Sequence, residues 1–204
     1  IQNNILKLKA MNDGIVKSNK GVNFPGVDLE IPSITSKDKK DIKLGIKLEV
    51  DWFALSFVRS PDDIKPFTKL YKNNDFIPVI AKIEKPEAIE NLDEIIKFFN
   101  GILIARGDLG VEMPLADLPI LQKKIVKQCR FEKKPVIIAT QMLESMIKSS
   151  SPTRAEVSDV ANSVYDKVDA VMLSGETAVG NNPVETVEIM SDIIKSVEKE
   201  LKNS

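Results

Sequence analysis

The sequence predicts a parallel α/β fold, and three observations predict it. Short apolar runs recur along the chain, they are continuous rather than alternating, and each is followed by a pattern of helical period. A strand covered on both faces reads as an unbroken Val, Ile and Phe run, whereas a strand with one wet face alternates. The runs return at intervals of roughly 25 to 35 residues, the spacing of strand-helix units.

Each element has its own reason. The opening stretch "NILKLKAMNDGIVKSNKGVNFPG" alternates and turns at Asn12-Asp13-Gly14, which predicts a β-rich segment with a hairpin and a boundary near residue 33. Next, "SITSKDKKDIKLGIKL" predicts a helix capped by Ser36. The first covered strand is "VDWFALSF" (50–57), followed by Ser60-Pro61-Asp62-Asp63, a cap, a proline at the first helical position and two acids in the first turn. The second is "FIPVIAKI" (76–83), after which Ile89, Leu92, Ile95, Ile96 and Phe99 form one apolar helix face. The third, "GILIA" (101–105), runs into Arg106, Gly107 and Asp108, with a helix or short turn placed around Pro114. The fourth, "PVIIAT" (135–140), precedes a helix with Ser151-Pro152 at its start and a stripe of Val157, Val160, Ala161 and Val164, suited to the core or to a subunit interface. The fifth, "VDAVMLS" (168–174), leads to the long amphipathic stretch "PVETVEIMSDIIKSVEKELK".

Composition removes several functions. Lys plus Arg number 29 against 30 Asp plus Glu, for a net charge of -1, so no basic footprint of a nucleic-acid binder is present. Histidine is absent, which excludes imidazole bases, Ser-His-Asp triads and His-based zinc sites. Cys129 is the lone cysteine, which rules out an internal disulfide, fits a reducing compartment and suits a buried helix face. No apolar run approaches the ~18 residues of a membrane span and no basic-then-apolar leader is seen, so the chain reads as cytoplasmic. It starts at Ile1 inside a strand-like pattern, and reads as a piece of something longer.

Chemistry must then rest on carboxylates, Lys, Arg, hydroxyls and metal ions. Ligands of parallel α/β sheets and barrels bind at the carboxyl ends of the strands. Those ends are polar here: Ser56 and Arg59, Lys82 and Glu84, Arg106 and Asp108, Thr140 and Gln141, Ser174 and Glu176. Lys82 and Glu84 stand two apart on a strand and so share one face. They read either as a structural ion pair or as a cation and carboxylate in a site. Asp108 adds a second carboxylate, and two hard oxygen ligands with positions left for water and substrate suit Mg²⁺ or Mn²⁺. Gly107 lets backbone amides approach an anion. The plainer reading has Asp108 capping a turn. The "RGD" tripeptide as an adhesion signal is weak, because it lies at a buried strand end.

The stretches "SNKGVNFPG", "ALSFVR", "IAKIEKPEAIENLDEI", "GILIARGDLGVEMP", "IIATQMLESMI", "SPTRAEVSDVANSV" and "DAVMLSGETAVGNNPVETV" together resemble the pyruvate kinase family, in order and over nearly the whole chain. The resemblance implies a TIM-type (β/α)₈ barrel, incomplete here with about five of eight units over 34–204, and a remnant of an inserted lid domain over 1–33. It implies phosphoryl transfer from phosphoenolpyruvate to ADP, giving ATP and an enolate that is protonated to pyruvate. Under it, Glu84 and Asp108 hold Mg²⁺ or Mn²⁺, Lys82 neutralises the phosphoryl group, and Gly107 and Asp108 amides receive the substrate carboxylate. Thr140 lies beside the face protonated, Lys20 contacts the nucleotide, and Ser174 and Glu176 belong to a polar network, with Arg59 and Arg106 as further candidates. A K⁺ requirement is implied, with ligands outside this chain, as is a tetramer, with no nucleic-acid or membrane partner.

The chain departs from the family pattern at Lys85, where Asn is common, at "KSSSPTRAE", which lacks the usual Pro-Arg-Pro lead, and at Lys167, where Gly is frequent. If these residues were the whole polypeptide, turnover would be negligible. Two other readings stay open at the level of sequence: a Mg²⁺-dependent lyase or aldolase on a related enolate-binding barrel, and a non-catalytic structural fragment.

Overall fold

A computed structural model describes residues 7–18, 21–25, 32–71 and 76–203. Five strands, β1 (Phe53–Leu55), β2 (Val79–Ile83), β3 (Gly101–Ala105), β4 (Val136–Ala139) and β5 (Ala170–Met172), form one sheet in the order β1-β2-β3-β4-β5. Every neighbouring pair is parallel, with Ile83 opposite Ile104 and Ala139 opposite both Ala105 and Met172. The carboxyl ends therefore line up along one edge.

Helices fill every crossover. Helix α1 (Ser36–Lys47) precedes β1, α2 (Lys65–Thr68) follows it, and α3 (Pro86–Glu90) with α4 (Leu92–Phe98) links β2 to β3. Between β3 and β4 run α5 (Arg106–Glu112) and α6 (Leu118–Phe131); α7 (Arg154–Tyr165) joins β4 to β5, and α8 (Gly175–Ala178) and α9 (Pro183–Asn203) close the order. Each strand lies beside its predecessor in sequence. Right-handed crossovers then put all helices on one face, as in the wall of a barrel. The wall is not closed.

Alternation along the strands sorts two faces. Val79, Ala81, Ile83, Ile102, Ile104, Val136 and Ile138 pack into the large core shared with the helices, where Ile95, Ile96, Phe99 and Cys129 are fully buried. On the opposite face Leu103, Ala105 and Ala139 make a smaller cluster with Ile80 and Ile137. Lys82 is in step with Ile80, so its side chain belongs to that second face. Cys129 sits on the buried side of α6, and burial, with Asp169 adding to it, pushes its thiol to about 12.

Several local expectations shift. Helix α1 is capped by Thr35 rather than Ser36, and α7 by Thr153 rather than Ser151. In both, a Thr side chain accepts the third helical amide while the acid there, Asp38 or Glu156, accepts the cap amide in return. That reciprocal box satisfies two orphan donors at once and outcompetes a lone serine. Among the described residues before 33 there is no strand, so the hairpin at Asn12-Asp13-Gly14 is not formed there. An alternating segment without a packed partner has little reason to pair, since an isolated hairpin is marginal in water. Lys20 lies outside the described residues.

Among the described residues, three of the six non-glycine residues with positive φ have a helix-ending cause. Glu49, Lys133 and Lys167 follow α1, α6 and α7 with φ of 54°, 55° and 62°. Their amides donate to Ile46, Arg130 and Val164 carbonyls, and the next amides to Gly45, Cys129 and Ser163. This is the Schellman pairing, whose left-handed position favours glycine. No helix among the described residues is long and apolar enough to cross a membrane.

Candidate active site

At the carboxyl edge, polar bonds link each strand end to the next. Between β1 and β2, the Lys82 ammonium donates to Ser56 Oγ at 3.0 Å and pairs with Glu84 Oε1 at 2.6 Å. Glu84 Oε2 accepts the Phe57 amide at 2.7 Å. Glu84 is buried at 1% exposure, so its charge is tolerated only because an ammonium and an amide face it. Lys82 and Glu84 do form an ion pair, and the pair lies within a wider polar edge.

Between β2 and β3, Lys85 pairs with Glu112 at 2.5 Å. Between β3 and β4, the Gly107 amide donates to Thr140 Oγ1 at 2.7 Å, and that hydroxyl donates to the Ala139 carbonyl at 2.6 Å. The amide expected to face an anion and the hydroxyl expected beside the substrate therefore satisfy each other. Between β4 and β5, fully buried Glu176 accepts the Ser174 amide at 2.8 Å and the Leu143 amide at 3.3 Å. Glu176 thus joins two strand ends through the backbone amides of Leu143 and Ser174.

Arg106 directly follows β3 at the same edge and is held there by several bonds. Its guanidinium grips Asp159 of α7 at 2.6 and 2.8 Å and reaches the Thr140 and Gln141 carbonyls at 2.8 and 3.2 Å. Gln122 Oε1 at 3.5 Å and Met142 sulfur at 2.9 Å complete its surroundings. The side chain is 13% exposed and is committed to holding the β4 loop. Thr140 and Gln141 carry φ of 73° and 55°, a conformation a β-branched residue adopts only when its surroundings over-determine it. The forked guanidinium, with donors to both carbonyls and a carboxylate behind it, supplies that constraint.

Asp108, in the first turn of α5, is partly buried and makes no side-chain hydrogen bond or ion pair among the described residues. It follows β3 by three residues, as Glu84 follows β2 by one, and these two strands are neighbours with Ile83 opposite Ile104. Among the described residues no three acidic or cysteine side chains form a ready-made metal cage. A hard divalent ion of the Mg²⁺ class needs no such cage, because it is often held by one or two carboxylates with water and substrate oxygens completing the shell. Two carboxylates at the ends of neighbouring strands, one of them without a partner among the described residues, are of the chemical type that donor set uses.

A cleft of about 600 Å³ flanks this edge on the β1 side, lined by Ser56, Phe57, Arg59, Lys85 and Glu87 among others. It touches neither Glu84 nor Asp108, so it adjoins the polar edge rather than constituting it. Glu87 Oε2 is buried there without a hydrogen-bond partner among the described residues. The Arg59 amide donates to Asp63 at 2.7 Å and its carbonyl accepts from Asn91 at 3.0 Å, which fixes its backbone at the cleft rim.

Sequence reasoning missed Lys85, Glu112, Asp159 and the Phe57 amide as members of this edge. A signal existed for Asp159, a carboxylate set between Val157 and Val160 near an otherwise apolar stripe. Glu112 had none beyond its place at the end of a short helix.

Comparison with known proteins adds an independent line. A family profile described as pyruvate kinase, barrel domain, matches residues 1–187. The pyruvate kinase of Thermotoga maritima is 50% identical over 190 residues, covering 93% of this chain and 41% of that protein. That of Corynebacterium glutamicum is 49% identical over 199 residues, 97% of this chain and 42% of that protein. Pyruvate kinase 2 of Synechocystis sp. is 52% identical over 196 residues, 96% of this chain and 33% of that protein. The chain spans about two fifths or less of the length of these relatives.

Proposed function

The chain belongs to the pyruvate kinase family, and from that membership we propose that its carboxyl edge is part of a site transferring a phosphoryl group from phosphoenolpyruvate to ADP. The observation that carries the reading is the Lys82–Glu84 pair, at 2.6 Å, at the end of β2, with Asp108 in the first turn of α5 directly after the neighbouring strand β3 and its carboxylate without a partner among the described residues. In phosphoryl transfer the protein's share is positioning and electrostatic stabilisation, and these are the groups such a task needs.

In this reading Glu84 and Asp108 hold a divalent cation, Mg²⁺ or Mn²⁺. Bound there, the ion would neutralise charge on phosphoryl and enolate oxygens. Lys82 shares Glu84 with that role, and its ammonium offsets negative charge on the transferring group. The amides of Gly107 and Asp108 receive the substrate carboxylate, which requires the Gly107 amide to exchange its bond to Thr140 for one to substrate. The Thr140 hydroxyl, released by that exchange, is set to contact the substrate beside the enolate carbon. Arg106 acts through the β4 loop, and Ser174 and Glu176 keep the neighbouring strand ends in register.

Lys20 is the proposed nucleotide contact. The family resemblance further implies a K⁺ ion bound by residues outside this chain, a tetrameric assembly and a cytoplasmic setting.

The test is a coupled assay for ATP from phosphoenolpyruvate and ADP on the protein as naturally produced, with Mg²⁺ present. ATP formation that falls about 10²-fold or more in Glu84→Gln supports the reading. Carbon–carbon cleavage of a keto-acid substrate without ATP formation would overturn it.

A further inference from the structure

We propose that the Lys85–Glu112 ion pair is a positioning device that sets the separation of Glu84 and Asp108; the inference rests on the divalent-cation reading above. Lys85 directly follows Glu84, and its backbone, at φ -127° and ψ 148°, is the extended cap of α3. Glu112 is the last residue of α5 and stands four after Asp108, one helical turn away on the same side of the helix. The pair therefore joins the two chain segments that carry the two carboxylates, one residue from the first and one turn from the second.

The geometry makes this bond consequential. Glu84 is fixed from its other side by Lys82 and the Phe57 amide. Asp108 has no such fixing among the described residues, and the orientation of α5 sets where its Cα–Cβ bond points. That helix is seven residues long, too short to be stable by itself. Leu109, fully buried, presses it against the core, while directional bonds are made at its two ends: Arg106 and Gly107 to the β4 loop, and Glu112 to Lys85. Removing the far anchor leaves the helix free to pivot about the near one, and Asp108 moves with it.

Burial keeps the pair closed. Glu112 is 3% exposed and Lys85 20%, so each needs the other to remain charged without water. Glu87, two residues after Lys85 and also lining the cleft, has one buried carboxylate oxygen without a hydrogen-bond partner among the described residues. The Lys85–Glu112 bond ties the end of β2 to α5.

The experiment is a Mn²⁺ titration of the purified protein followed by electron paramagnetic resonance, with no substrate present, on wild type and on Glu84→Gln, Asp108→Asn, Glu112→Gln, Lys85→Met and Lys85→Arg. Glu112→Gln and Lys85→Met are expected to weaken Mn²⁺ binding about tenfold and to broaden the bound-ion spectrum, as loss of an outer partner does. Lys85→Arg, which keeps the cation, is expected to bind within about twofold of wild type. Lys85→Met leaves a buried unpaired carboxylate; should it fail to fold, Glu112→Gln decides, because it strands no buried negative charge. Unchanged Mn²⁺ affinity and spectrum in Glu112→Gln, with binding lost in Glu84→Gln and Asp108→Asn, would overturn this inference alone. Unchanged binding in Glu84→Gln and Asp108→Asn would overturn the cation reading itself.

Discussion

Thr140 offers the sharpest separation of structural from chemical roles, because two substitutions of nearly equal size change different things. Thr140→Val keeps the branched shape and the strained φ of 73° but deletes the hydroxyl. Two hydrogen bonds go with it, from the Gly107 amide at 2.7 Å and to the Ala139 carbonyl at 2.6 Å. Each is worth about 1 kcal/mol net, and the amide left without a partner at a partly buried helix start adds on the order of 1 kcal/mol, so the loss should be ~2–3 kcal/mol. Thr140→Ser keeps both bonds and removes the methyl group that makes a positive φ costly, a relief on the order of 0.5–1 kcal/mol. Serine should therefore match or slightly exceed wild type, and valine should fall below it. Parallel urea denaturation curves measure the gap, and the coupled ATP assay reads the same variants for turnover. If Thr140→Val unfolds at the wild-type midpoint, the hydroxyl is not holding α5 to the β4 loop and the account of that contact is wrong.

Two further outcomes follow from features remote from the chemistry. Lys167 and Lys133 occupy left-handed Schellman positions with exposed side chains, so Lys167→Gly should raise stability by about 0.5–1 kcal/mol, a melting-temperature gain of about 1–4 °C by calorimetry, with Lys133→Gly acting similarly. Burial raises the carboxyl of Glu156, but bonds from the Ser145 and Thr153 hydroxyls and amides outweigh it and hold the group below its ordinary 4.5. A depressed folded-state value contributes stability that is complete above 4.5 and is lost as pH falls through the lower folded value. Urea midpoints of wild type and Glu156→Gln, measured across a pH series, should therefore differ most above 4.5 and draw together at lower pH.

The strand content was legible because each strand is a continuous apolar run between polar punctuation, a local property of the chain. The strand lengths were not. The stretches 50–57 and 168–174 shrink to three paired residues each, β1 and β5, whereas GILIA is paired throughout as β3. Edge strands have a neighbour on one side only, so pairing ends where that neighbour ends. The caps slipped by one or two residues for a related reason: Thr35 and Thr153 win through acids three positions later, and that reciprocal bond is decided by geometry. At the site, residue types were legible and partners were not. Arg106 and Asp159 are 53 positions apart and Gly107 and Thr140 are 33 apart, separations no local pattern encodes.

The positive-φ residues show what the sequence had to leave unsaid. Glu49, Lys133 and Lys167 end helices, a task any helix imposes. Phe57, Thr140 and Gln141 end no helix; they follow β1 and β4 at the carboxyl edge. Each strained turn is held by a charged group from a neighbouring strand end: the Phe57 amide by the Glu84 carboxylate, the Thr140 and Gln141 carbonyls by the Arg106 guanidinium. Hydrogen bonds to ionised groups are about twice as strong as neutral ones, which suits them to holding a conformation that costs on the order of 1–3 kcal/mol. Glu84 and Arg106 are thus committed to backbone geometry before any substrate arrives. It follows that neutralising either one should displace a loop as well as remove a charge, so a loss of turnover in Glu84→Gln reports both effects. The Mn²⁺ spectrum and the ATP assay must be read together to divide them.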